Sequence, residues 1–164
     1  MGRTAIGATM ATDDRTHTAF RDIQASPEAI YRAFLTREAM SSWLPPAGAK
    51  GAFDVFEPHV GGRFRLTLTF DAAQGKSSDH TDVVNGSFAE FVPERRIVMI
   101  VAFDSADAAF VGRMTMTWEL QRTSTGTRVT TIAEHVPAGI SQVDHETGMQ
   151  SSLAHLAAFV ERAG

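Results

Sequence analysis

The sequence predicts an α+β fold in which a curved antiparallel sheet of about six to seven strands wraps around a long C-terminal helix. Two observations support the sheet and the helix. Apolar and polar residues alternate through the middle of the chain, as they do in half-buried strands, and apolar residues recur at helical spacing near its end. Two short helical segments follow the first predicted strand. Because the helix must bury its apolar stripe, we expect it to pack on the sheet.

Length and composition restrict the classes of protein. The chain has 164 residues, the size of a single domain. A net charge of −4 argues against nucleic acid as the main partner. The absence of cysteine excludes a disulfide framework and a thiol nucleophile. The apolar runs are far shorter than the ~20 residues that cross a bilayer, so we expect no membrane insertion.

The first 15 residues predict a flexible N-terminal tail that precedes a single domain over residues 16–164. This segment is small and polar and lacks the apolar stretch of a secretory signal. We therefore expect a cytoplasmic protein.

The predicted domain begins with a strand, Thr16 to Gln24, marked by Phe20 and Ile23. Ser26-Pro27-Glu28 then predicts a helix start, because serine caps free N–H groups and proline suits the first helical position. A second short helix is expected at about residues 37–42, before two prolines that forbid its continuation. Residues 47–51 are predicted to form a loop.

The middle of the chain predicts six further strands. Strand 63–70 gives the clearest signal, because Phe64, Leu66, Leu68 and Phe70 alternate with arginine and threonine. The stretch from Ile97 to Val101 is apolar on both faces, which indicates a central strand or a covered outer face. The predicted strands are residues 53–57, 63–70, 81–91, 95–103, 114–120 and 127–134.

The C-terminal helix is predicted to start after Ser141, which together with Asp144 resembles a capping box. It continues to about Ala163. His145, Met149 and Ser152 fall on one face of this helix, at spacings of four and three residues.

Several short motifs, in this order, resemble a known family. They are Ala25-Ser26-Pro27-Glu28, Trp43, Gly61-Gly62-Arg63-Phe64, Gly86-Ser87-Phe88, Val92-Pro93-Glu94-Arg95-Arg96, Trp118-Glu119-Leu120, Gly126-Thr127-Arg128-Val129 and Gly148-Met149. From Thr16 to Ala163 the chain resembles the activator of heat shock protein 90 ATPase homologues, within the START-like or polyketide-cyclase-like (SRPBCC) superfamily. This resemblance implies a single START-like domain with the helix-grip fold, also called Bet v-like, and a cavity between the last helix and the sheet.

Nine residues are predicted to bind a ligand in that cavity: Trp43, Phe64, Leu66, Met114, Met116, Trp118, His145, Met149 and Ser152. Methionine suits irregular pockets, and aromatic side chains supply large contact areas. Plain core packing is the alternative role for these apolar residues.

His145 is the polar residue of greatest interest, because an imidazole in the cavity could orient a ligand or move a proton. Alternatively, it caps the first turn or bonds to a backbone carbonyl. We expect neither a metal nor a cofactor: His145 and His155 are ten residues apart on the helix, and the segment from His145 to Met149 lacks the second histidine of a zinc-protease helix.

These observations lead to three hypotheses about function. The first is the binding of a small hydrophobic or aromatic molecule in the cavity. The second is a cyclase-like or hydrolase-like enzyme that uses a cavity histidine as acid or base. The third is a protein-interaction module that binds a chaperone or forms a homodimer through an exposed sheet face, motivated by the apolar stretch Ile97 to Val101.

Overall fold

The computed structural model describes residues 15–72, 75–78 and 80–163. Within them, seven strands form one antiparallel sheet in the order β1-β7-β6-β5-β4-β3-β2. The strands are β1 (His17–Ile23), β2 (Ala49–Phe56), β3 (Arg63–Phe70), β4 (Thr81–Val92), β5 (Arg96–Phe103), β6 (Met114–Arg122) and β7 (Thr127–Glu134). The helices are α1 (Pro27–Arg32), α2 (Arg37–Trp43) and α3 (Gln142–Ala163), with a 3₁₀ turn at Ala108–Phe110. The predicted α+β helix-grip architecture is confirmed.

Residues 1–14 of the predicted tail lie outside the described residues. Arg15, which the prediction included in the tail, is held by the domain. Its guanidinium donates hydrogen bonds to the backbone carbonyls of Val136 (3.1 Å), Pro137 (2.7 Å) and Ile140. The described chain is therefore anchored to the β7–α3 loop before β1 begins.

The two short helices begin where the sequence predicts. Ser26 Oγ accepts a hydrogen bond from the N–H of Ala29, and Thr36 Oγ1 accepts one from the N–H of Ala39. These caps satisfy N–H groups that have no partner inside a first helical turn.

Strand β2 begins at Ala49, inside the segment predicted to be a loop. Gly51 conceals the strand signal, since it has no side chain to contribute to the alternating pattern. A Cβ atom at Gly51 would lie 2.7 Å from Cγ of Pro45, so a larger residue would require Pro45 to shift. Pairing with β3 nevertheless extends along the whole strand and joins Ala49 to Phe70.

The first strand buries only one of the two apolar residues that mark it in the sequence. Phe20 is 51% exposed, and the Arg128 guanidinium lies over its ring at 4.5 Å. His17, Ala19 and Ile23 are the buried side chains. In a strand, residues 20 and 23 point to opposite faces, so only Ile23 belongs to the core.

The core lies between α3 and the inner face of the sheet. Strand β5 is the central strand, as one of the two readings predicted, with Ile97, Met99 and Val101 buried and Val98 and Ile100 half-buried on the outer face.

No helix in the described ranges is both long enough and apolar enough to cross a membrane.

Candidate ligand-binding cavity

A cavity of about 680 Å³ separates the first half of α3 from strands β3 to β6. Its wall is mostly apolar, because the inner positions of these strands carry aromatic, methionine and aliphatic side chains. The apolar residues on the sheet side of the wall are Phe64, Leu66, Leu68, Phe70, Val84, Met99, Val101, Phe103, Met114, Met116 and Trp118. Leu44, Pro46 and Ala47 border it from the α2–β2 loop, and Phe110 from the 3₁₀ turn.

Eight of the nine residues predicted to bind a ligand line this cavity: Phe64, Leu66, Met114, Met116, Trp118, His145, Met149 and Ser152. The ninth, Trp43, is fully buried elsewhere. Its ring packs against Phe34 and Trp118, with centroid distances of 4.9 and 5.3 Å. Its indole Nε1 donates a hydrogen bond to the carbonyl of Ala33 at 2.8 Å. Trp43 therefore supports the wall from behind. Ligand binding by the other eight stays a prediction.

Gly148 occupies the middle of the helix face that borders the cavity. Asp144, His145, Ser151 and Ser152 lie around it on the same face. A Cβ atom at Gly148 would have no described atom within 4 Å beyond its own helix backbone and chain neighbours. Glycine inside a helix costs about 1 kcal/mol relative to alanine, so the open space here comes at a cost to the stability of the helix.

His145 forms a hydrogen-bonded pair with His17 of β1. The two Nδ1 atoms are 2.8 Å apart, and the rings meet edge to face with centroids at 5.1 Å. His17 is only 1% exposed, and its Nε2 has no hydrogen-bond partner in the described part of the chain. His145 borders the cavity, whereas His17 lies outside the cavity wall. His145 thus bonds to another imidazole, in place of the predicted backbone carbonyl or helix cap.

Burial keeps both imidazoles uncharged at neutral pH. The pKa of His145 is lowered to about 4, mainly by burial and also by the nearby His17, Lys76 and Arg15, while Glu146 opposes them. Burial also lowers the pKa of His17, as does the charge of Arg15. An imidazolium here would lose hydration and face cationic neighbours.

An ion pair lies in the cavity wall opposite the helix. Asp82 is 2% exposed, and its Oδ2 is 2.7 Å from Nζ of Lys76. The backbone N–H of Lys76 also donates to this carboxylate, and the ammonium lies 4.9 Å from the centre of the Phe103 ring. The two charges compensate each other, so this part of the wall adds no net charge to the cavity.

Two serines of α3 connect the helix to the α2–β2 loop. Ser152 Oγ donates to the carbonyl of Leu44 at 2.5 Å, and Ser151 Oγ accepts from the N–H of Ala47 at 2.7 Å. About one turn further along the helix, His155 Nδ1 lies 2.9 Å from the carbonyl of Pro45 in the same loop. The helix and the loop that border the cavity are therefore held together by polar contacts.

Sequence reasoning missed His17 and Asp82 as parts of the site. The two-residue alternation of inward and outward side chains in a strand would have placed both residues on the inner face. His17 shares its strand face with Ala19 and Ile23, and Asp82 shares its face with Val84. A polar residue at an inward position of a strand needs a partner, and this requirement is the signal that points to a site.

Comparison with known proteins agrees with the geometry. The model of the family described as Activator of Hsp90 ATPase homolog 1-like protein matches residues 24–161. A solved structure of a protein from Chromobacterium violaceum is 32% identical, with a TM-score of 0.81 and coverage of 90% of this chain and 98% of that one. No functionally curated protein matches the sequence.

More distant structures share the fold. A protein from Rhodobacter sphaeroides is 20% identical, with a TM-score of 0.74 and coverage of 91% of this chain and 93% of that one. The AHSA1-like protein from Aeromonas hydrophila is 16% identical, with a TM-score of 0.68 and coverage of 91% and 94%. Because the family model spans most of the sequence and a solved relative agrees over nearly its whole length, the chain belongs to the Activator of Hsp90 ATPase homolog 1-like family.

Proposed function

We propose that this protein binds a small apolar or aromatic molecule in the cavity beneath α3. The observation that carries the proposal is the cavity itself, whose volume of about 680 Å³ lies within the usual range for small-molecule sites. Side chains such as Phe64, Met116 and Trp118 offer a ligand extensive apolar contact. An apolar ligand would supply the dispersion contacts that these side chains lack around an open space.

The chemistry of His145 favours binding over acid–base catalysis. A general acid or base works best when its pKa lies near the working pH. With a pKa of about 4, the His145 imidazole is neutral at pH 7 and only a weak base. The enzyme alternative therefore receives less support than the binding of a ligand.

A protein partner also has less support. The family description refers to activation of the Hsp90 ATPase, but a name identifies no surface of this chain. The outward side chains of β5, Val98 and Ile100, are half-buried and thus offer a partner little apolar area. Chaperone binding and homodimer formation remain alternatives to be tested by pull-down and light scattering.

The test combines native mass spectrometry with a binding titration. Native spectra of the purified protein, followed by extraction under denaturing conditions, would identify an apolar molecule that copurifies. The titration uses the neutral fluorescent probe N-phenyl-1-naphthylamine on the wild type, Gly148→Phe and Gly148→Ala. We expect a phenyl group at position 148 to fill part of the cavity and weaken binding at least about tenfold, while a methyl group changes it less than about threefold.

Gly148→Ala is the matched control, because it carries the same backbone change without filling the cavity. Circular dichroism and thermal unfolding would establish that both variants fold. Equal affinity of the wild type and a folded Gly148→Phe protein would exclude this cavity as the binding site. Absence of both a copurified molecule and probe binding would contradict the proposed function.

A further inference from the structure

The contact between His17 and His145 restricts where their protons lie. A hydrogen bond between two imidazole nitrogens needs one that carries a proton and one that is bare. At neutral pH both rings are uncharged, so each carries one proton. The ring with the bare Nδ1 must therefore carry its proton on Nε2. The Nδ1 to Nδ1 distance of 2.8 Å thus implies that one ring is the Nδ1–H tautomer and the other the Nε2–H tautomer.

The surroundings of His17 favour one of the two arrangements. Nε2 of His17 is buried without a partner in the described structure. A buried N–H without an acceptor is rarer in proteins than a buried acceptor without a donor. His17 therefore carries its proton on Nδ1 and donates to His145. The His145 ring accepts at Nδ1 and presents Nε2–H.

Most other polar side chains that border the cavity already have protein partners. Ser152 donates to Leu44, and Asp82 is paired with Lys76. Trp118 Nε1 lies within the wall, where solvent does not reach it. His145 Nε2, the nitrogen that the contact with His17 leaves free, is thus the donor best placed to meet a polar group inside the cavity.

We propose that the ligand is an uncharged molecule with an apolar body and one acceptor oxygen, such as a carbonyl, and that His145 Nε2–H donates a hydrogen bond to it. This inference rests on the proposed function. The ligand is uncharged because the wall is largely apolar, the Lys76–Asp82 pair compensates itself, and Asp144, the other carboxylate that borders the cavity, is exposed to solvent, so a net charge buried beneath the helix would find no buried partner. His17 acts as a positioning residue, because its bond to Nδ1 fixes the tautomer and orientation of His145.

The test compares two probes of nearly the same shape, 2-acetylnaphthalene and 2-ethylnaphthalene, which differ by one carbonyl oxygen. Their dissociation constants are measured for the wild type and for His145→Asn. Asparagine places a polar atom near the position of Nδ1 and can still bond to His17, but it has nothing at the position of Nε2. We expect the preference for the acetyl compound, relative to the ethyl compound, to fall about five- to tenfold in the variant.

A second pair of variants tests the role of His17. The amide of His17→Asn can donate to His145 Nδ1, whereas His17→Leu cannot. We expect His17→Asn to keep the wild-type preference for the acetyl compound and His17→Leu to lose it. A purely structural role would move both affinities together and leave their ratio unchanged. Thermal unfolding of each variant would establish that it is folded.

The outcomes separate this inference from the proposed function. If both probes bind and their ratio is the same in the wild type and in His145→Asn, the cavity binds apolar molecules but His145 is not the anchor. If neither probe binds the wild type, the cavity proposal fails, and this inference fails with it. A preference for the acetyl compound that is as strong in His17→Leu as in His17→Asn, or stronger, would overturn the role of His17.

Discussion

The ring of Phe64 lies against Gly86 of the neighbouring strand, where the two residues form a cross-strand pair. A Cβ atom at Gly86 would lie 2.2 Å from Cζ of Phe64. Glycine at this position therefore determines where one aromatic side chain of the cavity wall lies.

We predict that Gly86→Ala destabilises the protein by about 1–3 kcal/mol, because the new methyl group forces Phe64 out of its position. Urea denaturation would measure the change in the free energy of unfolding. Ligand affinity should fall as well, since Phe64 lines the cavity. An unchanged unfolding midpoint would show that the ring can move aside at no cost.

Gly148→Ala should have the opposite effect on stability. The position is helical, and the added methyl group meets open space. We expect a gain of about 0.5–1 kcal/mol, because alanine favours the helix and restricts the unfolded chain. Urea denaturation of Gly148→Ala and Gly86→Ala would compare a glycine that faces open space with one that faces the Phe64 ring. A loss of stability would contradict the open space at this point of the helix.

The His17–His145 pair predicts a pH dependence of stability. His145 has a pKa of about 4 in the folded protein, below its ordinary value of 6.5, so the unfolded chain binds more protons between these values. Stability is therefore complete above about pH 6.5 and falls as the pH decreases towards 4. The loss from this group is about 3 kcal/mol and arises mainly from burial of the charged ring, with His17, Lys76 and Arg15 adding repulsion and Glu146 opposing it.

The measurement is the free energy of unfolding of the wild type and of His145→Asn from pH 4 to pH 7.5. Asparagine does not titrate, so the difference between the two proteins isolates His145 from the carboxylates that titrate nearby. NMR titration of the His145 ring would locate its pKa directly. Parallel stability curves for the two proteins would contradict the prediction.

The Lys76–Asp82 pair predicts a strong asymmetry between single and double variants. Lys76→Met leaves a buried carboxylate without its counterion, and we expect it to cost about 3 kcal/mol. The double variant with Asp82→Asn should recover most of this loss, because the amide oxygen can still accept from the N–H of residue 76. The measurement is a double-mutant cycle, in which urea denaturation gives the free energy of unfolding of the wild type, Lys76→Met, Asp82→Asn and the double variant. Additive losses would show that the two side chains do not interact.

The sequence could predict the order of elements because strong local signals mark most of them. Ser26 and Pro27 begin α1, and the alternation from Arg63 to Phe70 identifies β3 and its inner face. The alternation of inward and outward side chains also identified inner-face residues of the strands, and most of the predicted ligand-binding residues line the cavity. Trp43 escaped this reasoning because a short helix gives no indication of which layer its aromatic side chain enters.

The rest depended on contacts that no local pattern contains. Phe20 marks β1 in the sequence, but its ring is exposed on the outer face of the sheet with the Arg128 guanidinium over it, a position that no local pattern identifies. The bond between His17 and His145 joins residues 128 positions apart. The pairing of distant polar groups, and the space left at Gly148, depend on the three-dimensional fit of side chains.

Arg15 has a consequence for kinetics. Its hydrogen bonds fasten the loop between β7 and α3, and Gly139, Ile140 and Ser141 of that loop border the cavity. Widening of the rim at Ile140 would stretch or break the hydrogen bond between its carbonyl and the Arg15 guanidinium. Arg15 is not itself part of the lining, but it donates a hydrogen bond to Ile140 of the wall, so we expect it to slow both the opening of this rim and the release of any molecule bound inside.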